Sequence, residues 1–185
     1  MMPHAVAERL GGGTAGVWVA PALAYGSSGE HQSFPGTCSI GSEGLRVVVV
    51  ELVRSLRTWA SRVVLVNAHG GNLTALRSAV EQLVAEGHDV AWVACATEDV
   101  DLHAGRTETS LLLCMSPDQV RLELAVAGDC RPLAEILTTL TTRGVAAVSP
   151  NGVLGDPAGA SATEGATVLA AMVDDIVGRL TGAAP

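Results

Sequence analysis

Two short apolar runs with a helix-period segment between them constrain this chain most. Val63-Val64-Leu65-Val66 and Val90-Ala91-Trp92-Val93-Ala94 have the length and β-branched content of buried strands. Between them, Leu73 to Ala85 places Leu76, Val80 and Leu83 at three- and four-residue steps, the period of an amphipathic helix. Gly41 to Ala60 repeats that period through Leu45, Val48, Val49, Leu52, Val53 and Leu56, and Val17 to Ala22 reads as a further strand. Strand and helix in alternation predict an α/β fold whose mainly parallel sheet is covered by helices on both faces. After Ala94 the pattern loosens. A polar loop, 96–106, leads to a helix over Thr107 to Met115, then to a strand around Val120. A turn-rich stretch, 151–159, precedes a final helix that opens at Thr163-Glu164 and runs to about Leu180.

The 185 residues allow one domain with a real core and are too few for two of ordinary size, so residues 1–185 are read as a single domain. Apolar residues make up 48% of the chain, but no run approaches the ~18 uninterrupted ones a membrane span requires. The start, Met1-Met2-Pro3-His4-Ala5, lacks the basic-then-apolar order of a secretory signal, which predicts a cytoplasmic protein. Net charge is −8 and the eleven basic residues are scattered, which argues against nucleic acid as a partner. Cys38, Cys95, Cys114 and Cys130 form no C-x-x-C pair and read as reduced thiols.

In parallel α/β sheets ligands gather beyond the carboxyl ends of the strands, so the loops there are the place to seek chemistry. Three such loops, Tyr25 to Thr37, Asn67 to Asn72 and Thr97 to Glu108, hold three of the five histidines: His31, His69 and His103. In Asn67-Ala68-His69-Gly70-Gly71-Asn72 an imidazole ends a strand, two glycines let backbone approach a ligand closely, and a helix begins at Asn72. A neutral imidazole in that place is a good metal ligand. The plainer alternative is a tight strand-to-helix turn in which His69 only hydrogen-bonds to its neighbours. In Asp101-Leu102-His103-Ala104-Gly105-Arg106-Thr107-Glu108, a carboxylate able to bind a metal stands near an imidazole able to pass a proton to a leaving amine. Here the alternative is that Thr107 and Glu108 simply cap their helix. The loop Gly29-Glu30-His31-Gln32-Ser33-Phe34-Pro35-Gly36-Thr37 is too polar for a core, and alone it would pass for a surface turn. Phosphate binding at the helix after Gly70-Gly71 is the weakest idea, because neither G-x-G-x-x-G nor a P-loop lysine is present.

These segments, in this order, resemble the creatininase family of amidohydrolases: 28–31 with 34–37, 67–72, 101–105 with 108–110, and 152–157. Within it the chain is most similar to the branch that removes a C-terminal dipeptide from a modified precursor peptide in mycofactocin maturation. The resemblance implies a three-layer α/β/α fold, a site for one or two divalent ions such as zinc, iron or manganese, a small amide or peptide substrate, and a homo-oligomer, often a hexamer. By position it makes His69 a metal ligand, Glu108 a carboxylate ligand or catalytic partner, and His103 the residue that handles the leaving-group proton. His31, with Asn67, Gly70, Gly71 and Asn72, would line the substrate cleft. In creatininase a glutamate stands where this chain has Gly71, which shifts the carboxylate role to Glu108. The family's usual first strand and metal-binding loop have no counterpart before Met2 to Leu10, which resembles the helix that follows them. The expectation is therefore an N-terminally shortened creatininase-like domain, either an active amidohydrolase or peptidase, or a non-catalytic subunit that keeps the fold.

Overall fold

The computed structural model describes residues 2–96 and 101–182. Its helices and strands in chain order are α1 (Met2–Arg9), α2 (Gly41–Leu56), β1 (Val63–Asn67), α3 (Leu73–Ala85), β2 (Val90–Ala94), α4 (Arg106–Met115), α5 (Leu133–Arg143) and α6 (Ala162–Thr181). They group into two compact units, one of residues 21–95 and one of residues 1–20 with 96–185.

The first unit is built on the βαβ element that the sequence predicts. β1 and β2 pair in parallel, from Val63 opposite Val90 to Asn67 opposite Ala94. Their connection is α3, because parallel neighbours need a crossover long enough to return the chain to the same sheet edge. α3 ends in a Schellman turn: Gly87, at φ 85°, takes the left-handed conformation, while His88 N–H donates to the Leu83 carbonyl at 2.9 Å and Gly87 N–H to Val84 at 2.9 Å. That turn feeds the chain into β2.

Leu45, Val49, Val50 and Val53 of α2 pack on Ala75, Leu76, Ala79 and Leu83 of α3 and on Val90 of β2. Val53, Ala79 and Leu83 are wholly buried, and a fully buried leucine contributes roughly 1.5–3 kcal/mol by leaving water. The buried face of α2 is narrower than the sequence period suggests, since Leu52 stays exposed and Val48 half-buried. α2 also stops at Leu56, short of the predicted Ala60, where the Arg57 guanidinium donates to the Ala60 carbonyl and closes the chain into a turn. Arg54 of α2 and Glu86 beyond α3 tie the two helices at the surface.

In the second unit α4 lies against α6, with α1 also on α6. The α4–α6 approach is close because Gly165 has no side chain: a Cβ there would lie 1.9 Å from the Ser110 carbonyl oxygen. Ser110 is wholly buried, donating to Glu164 at 3.0 Å and accepting from the Ser161 N–H at 3.0 Å. Ser161 caps α6 by accepting from Glu164 N–H at 3.2 Å, so the helix opens within one residue of the predicted place.

Two expected strands are not formed. Residues 17–22 are irregular, with Trp18 78% exposed, and Pro21 brings no N–H to a ladder. Val120 is extended, but it follows a single 3-10 turn, Pro117–Gln119, and pairs with no strand among the described residues. The helix α5 was not anticipated, although Leu133, Ile136, Leu137 and Leu140 carry its period. Of the predicted loop 96–106, residues 97–100 lie outside the described residues.

Candidate active site

The first cluster lies at the carboxyl end of β1. Asn67, the last residue of the strand, is buried, and its side chain organises the turn that follows. Its amide nitrogen donates to the His69 carbonyl at 2.9 Å. Its amide oxygen accepts from His69 N–H at 3.3 Å and from the Asn72 amide at 3.1 Å. Asn72 directly precedes α3 but does not cap it. Its side-chain oxygen instead accepts from Ser27 N–H at 2.9 Å, binding the 67–72 turn to the 26–40 loop. Gly26 permits this approach, since a Cβ there would meet the same oxygen at 2.7 Å.

Three oxygens surround His69 Nε2: the Glu30 carboxylate at 2.9 Å, the Ser27 carbonyl at 3.1 Å and the Ser28 hydroxyl at 3.2 Å. A carbonyl and a carboxylate only accept, so Nε2 donates to them and carries the ring proton. His31 stands on the other side of Glu30, its Nε2 3.7 Å from the same carboxylate oxygen and its ring centre 6.0 Å from that of His69. The 3-10 turn Gly29–His31 presents both residues, and the Thr37 hydroxyl steadies it by donating to the His31 carbonyl at 2.9 Å. Gly71 is required by this packing. A Cβ on it would lie 2.3 Å from the Ser27 carbonyl, 2.6 Å from His69 Nε2 and 2.7 Å from Glu30 Oε1. Gly70 meets nothing within 4 Å. Thus His31, Asn67, Gly70, Gly71 and Asn72 all sit around His69, with the two asparagine side chains engaged in holding the turn.

Glu30 is the residue that sequence reasoning passed over. The sequence gives it no role, because nothing there places it next to a histidine 39 positions later. The one available signal was the absence of a side chain at Gly71, which opens the space the carboxylate fills.

The second cluster starts at the turn before α4. His103 forms an antiparallel bridge with Leu154, donating its N–H to the Leu154 carbonyl at 3.1 Å and accepting from the Leu154 N–H at 2.8 Å. Its Nδ1 is 3.4 Å from Glu108 Oε2. The same Glu108 oxygen accepts from Ala104 N–H at 2.5 Å. Ala104, at φ 53°, is the one non-glycine in the left-handed region among the described residues, a conformation that costs an alanine roughly 1–2 kcal/mol. Glu108 thus bonds to the backbone just before its helix and approaches His103. Both side chains are partly exposed, at 39% and 46%.

His, Glu and Asp are donors of the kind zinc, iron and manganese take. Among the described residues, however, no three such side chains are grouped so that they could hold an ion. The described residues thus fit a metal in kind and do not complete a site in number.

The fold is of the α/β class, with a parallel strand pair and helical connections, and comparison with known proteins names its family. The creatininase family, described as creatinine amidohydrolase, matches residues 1–180. A mycofactocin precursor peptide peptidase of Mycobacterium ulcerans is 55% identical over 181 residues, which cover 96% of this chain and 72% of that protein. One of the same name from Mycolicibacterium smegmatis is 51% identical over 162 residues, or 88% of this chain and 66% of that protein. A mutant creatininase of Zn-Zn type superimposes with a TM-score of 0.76 at 26% identity, covering 100% of this chain and 80% of that one. This chain belongs to the creatininase family and has its α/β fold. The chain spans about two thirds to three quarters of the length of these two curated relatives. No described helix is long and apolar enough to cross a membrane.

Proposed function

We propose that this chain is a metal-dependent hydrolase of amide or peptide bonds, and that its substrate is a modified precursor peptide from which it releases a C-terminal dipeptide, as in mycofactocin maturation. The single observation that carries the reading is the His103–Glu108 pair, an imidazole and a carboxylate 3.4 Å apart on a turn kept in a costly conformation. In such a hydrolysis water adds to the carbonyl carbon, the C–N bond breaks, and the departing nitrogen takes up a proton. His103 supplies that proton, and Glu108, 3.4 Å from its Nδ1, orients the ring. A divalent ion, when bound, polarises the carbonyl and makes its water more acidic. The family resemblance assigns a ligand role to His69 and, separately, to Glu108. Glu30 and the Ser27 carbonyl fix the His69 ring from the Nε2 side, the arrangement by which a carboxylate commonly orients a metal-binding imidazole. His31 and the backbone of Gly70 and Gly71 border the space where substrate would lie. Zinc, iron and manganese are the candidate ions, a homo-oligomer such as a hexamer the proposed assembly, and the cytoplasm the proposed compartment.

A second reading, a catalytically impaired subunit that keeps the fold, is favoured by the number of grouped ligands among the described residues. One experiment separates the two. The purified chain is loaded with zinc, iron or manganese, dialysed and analysed for bound metal, and dipeptide release from the precursor peptide is followed by mass spectrometry. Stoichiometric metal and release, both lost in His69→Ala, are expected. A wild-type chain with neither is the impaired subunit, and a His69→Ala protein equal to wild type in both refutes the ligand assignment.

A further inference from the structure

Asp101 belongs to the second cluster and has no role in the reading above. Its carboxylate accepts from Thr107 N–H, at 3.2 Å through Oδ1 and 3.4 Å through Oδ2, and so occupies the N-terminal turn of α4 from four residues before the helix cap, Gly105. The space around it exists only because two glycines line it. A Cβ on Gly105 would stand 1.8 Å from Asp101 Oδ2, and one on Gly155 would stand 2.7 Å from Asp101 Cβ and 3.1 Å from Oδ2. Gly155 lies next to Leu154, the residue paired with His103, and its carbonyl accepts from Gly128 N–H at 3.0 Å, so that wall of the slot is anchored too. The turn 101–108 is thereby gripped from two sides. Asp101 holds the helix start at Thr107, Glu108 reaches back to Ala104 N–H, and His103 lies between them. A left-handed alanine persists only where its surroundings over-determine it, and these two carboxylates do so.

We propose that Asp101, locked between Gly105 and Gly155, is a positioning residue that sets where Glu108 meets His103. The proposal rests on the reading of His103 as the residue that hands over the proton. Asp101 acts through the backbone: its cap fixes the first turn of α4, that turn fixes Glu108, and Glu108 faces the imidazole. Side-chain bulk at position 155 should therefore have the same consequence as loss of the carboxylate.

The test uses the metal-loaded full chain, with ring-nitrogen NMR of 15N-histidine protein beside steady-state kinetics of dipeptide release. Asp101→Ala should shift the His103 ring resonances and leave those of His69 in place. It should lower kcat roughly 10- to 100-fold, the scale of a misplacement of up to about 1 Å, while KM changes little. Asp101→Asn, which still offers an oxygen to Thr107 N–H, should restore both readouts. Gly155→Ala, whose Cβ would come 2.7 Å from Asp101 Cβ and 3.1 Å from Oδ2, should shift His103 and lower kcat in the same direction as Asp101→Ala. His103 resonances and kcat unchanged in Asp101→Ala would overturn the proposal, as would Asp101→Asn failing as badly as the alanine. Should Asp101→Ala not fold, the Asn and Gly155→Ala variants decide by the same criteria. A wild-type chain without hydrolysis, whose His103 resonances still shift in Asp101→Ala, would refute the hydrolase reading and leave the positioning role standing.

Discussion

Replacing Gly71 with alanine tests how tightly the His69 cluster is packed. The added Cβ would come within 2.3 Å of the Ser27 carbonyl oxygen, 2.6 Å of His69 Nε2 and 2.7 Å of Glu30 Oε1. The Glu30 carboxylate can swing aside. The Ser27 carbonyl cannot do so cheaply, because Ser27 N–H is bound to the Asn72 side chain at 2.9 Å. Forcing an extra carbon into a packed site costs typically about 1–3 kcal/mol. For a chain of this length each kcal/mol lowers the melting temperature by about 2–4 °C, so Gly71→Ala should melt roughly 2–12 °C below wild type. Gly70→Ala is the internal control. Nothing lies within 4 Å of its Cβ and its φ is not in the left-handed region, so it should melt at the wild-type temperature. It could even gain the ~0.4–1 kcal/mol that alanine brings by restricting the unfolded chain. Thermal melts followed by circular dichroism on the three proteins suffice. Equal melting temperatures for Gly70→Ala and Gly71→Ala would refute the argument, since the two differ only in what their Cβ meets.

Two further predictions concern the surface and the thiols. The Arg54 guanidinium, with help from Gln82, holds the Glu86 carboxyl at about 2, below its usual 4.5. A carboxyl depressed on folding stabilises above its unfolded value, and that contribution is lost as pH falls toward its folded value. The stability gap between wild type and Glu86→Gln should thus be full above pH 4.5 and close by about pH 2, in urea melts at stepped pH. A gap that widens on acidification would contradict the pairing. Burial pushes the Cys95 thiol up, whereas Cys38 and Cys130 are exposed. Iodoacetamide under native conditions should label Cys38 and Cys130 first and Cys95 last, as read by peptide mass spectrometry. Early labelling of Cys95, whose N–H donates to the Asn67 carbonyl at 2.7 Å, would argue against that burial.

The parts of this fold that announce themselves in the sequence are those whose burial sets a period. α3 is legible because it buries one consistent face, β1 and β2 because apolar, β-branched runs of strand length flank it, and α6 because Ser161 and Glu164 mark its start. Val17 to Ala22 misled because an apolar run reports hydrophobicity and not the existence of a ladder partner, and Pro21 argued against one. α5 was missed because its period is surrounded by irregular chain and only Ile136 is buried. The sequence singles out the three histidine loops as candidates. It could not reveal that the two asparagine amides hold the turn together, that Glu30 closes on His69, or that Asp101 needs two glycines. The bonds of Asn72 to Ser27 and of Glu30 to His69, and the wall Gly155 gives Asp101, join segments far apart in the chain, and the lack of side chains at positions 26, 71, 105 and 155 makes room for them.

The bond between the Asn72 side chain and Ser27 has a bearing on how this protein could be re-engineered. Residues 26–31 and 67–72 share one set of amide groups, so they are a single interchangeable part split across two stretches of sequence. A loop graft that carries residues 26–40 from another member still brings a backbone N–H at position 27, but any residue other than glycine at 26 would push a Cβ to 2.7 Å from the Asn72 amide oxygen. Chimeras meant to exchange substrate preference should move both stretches together.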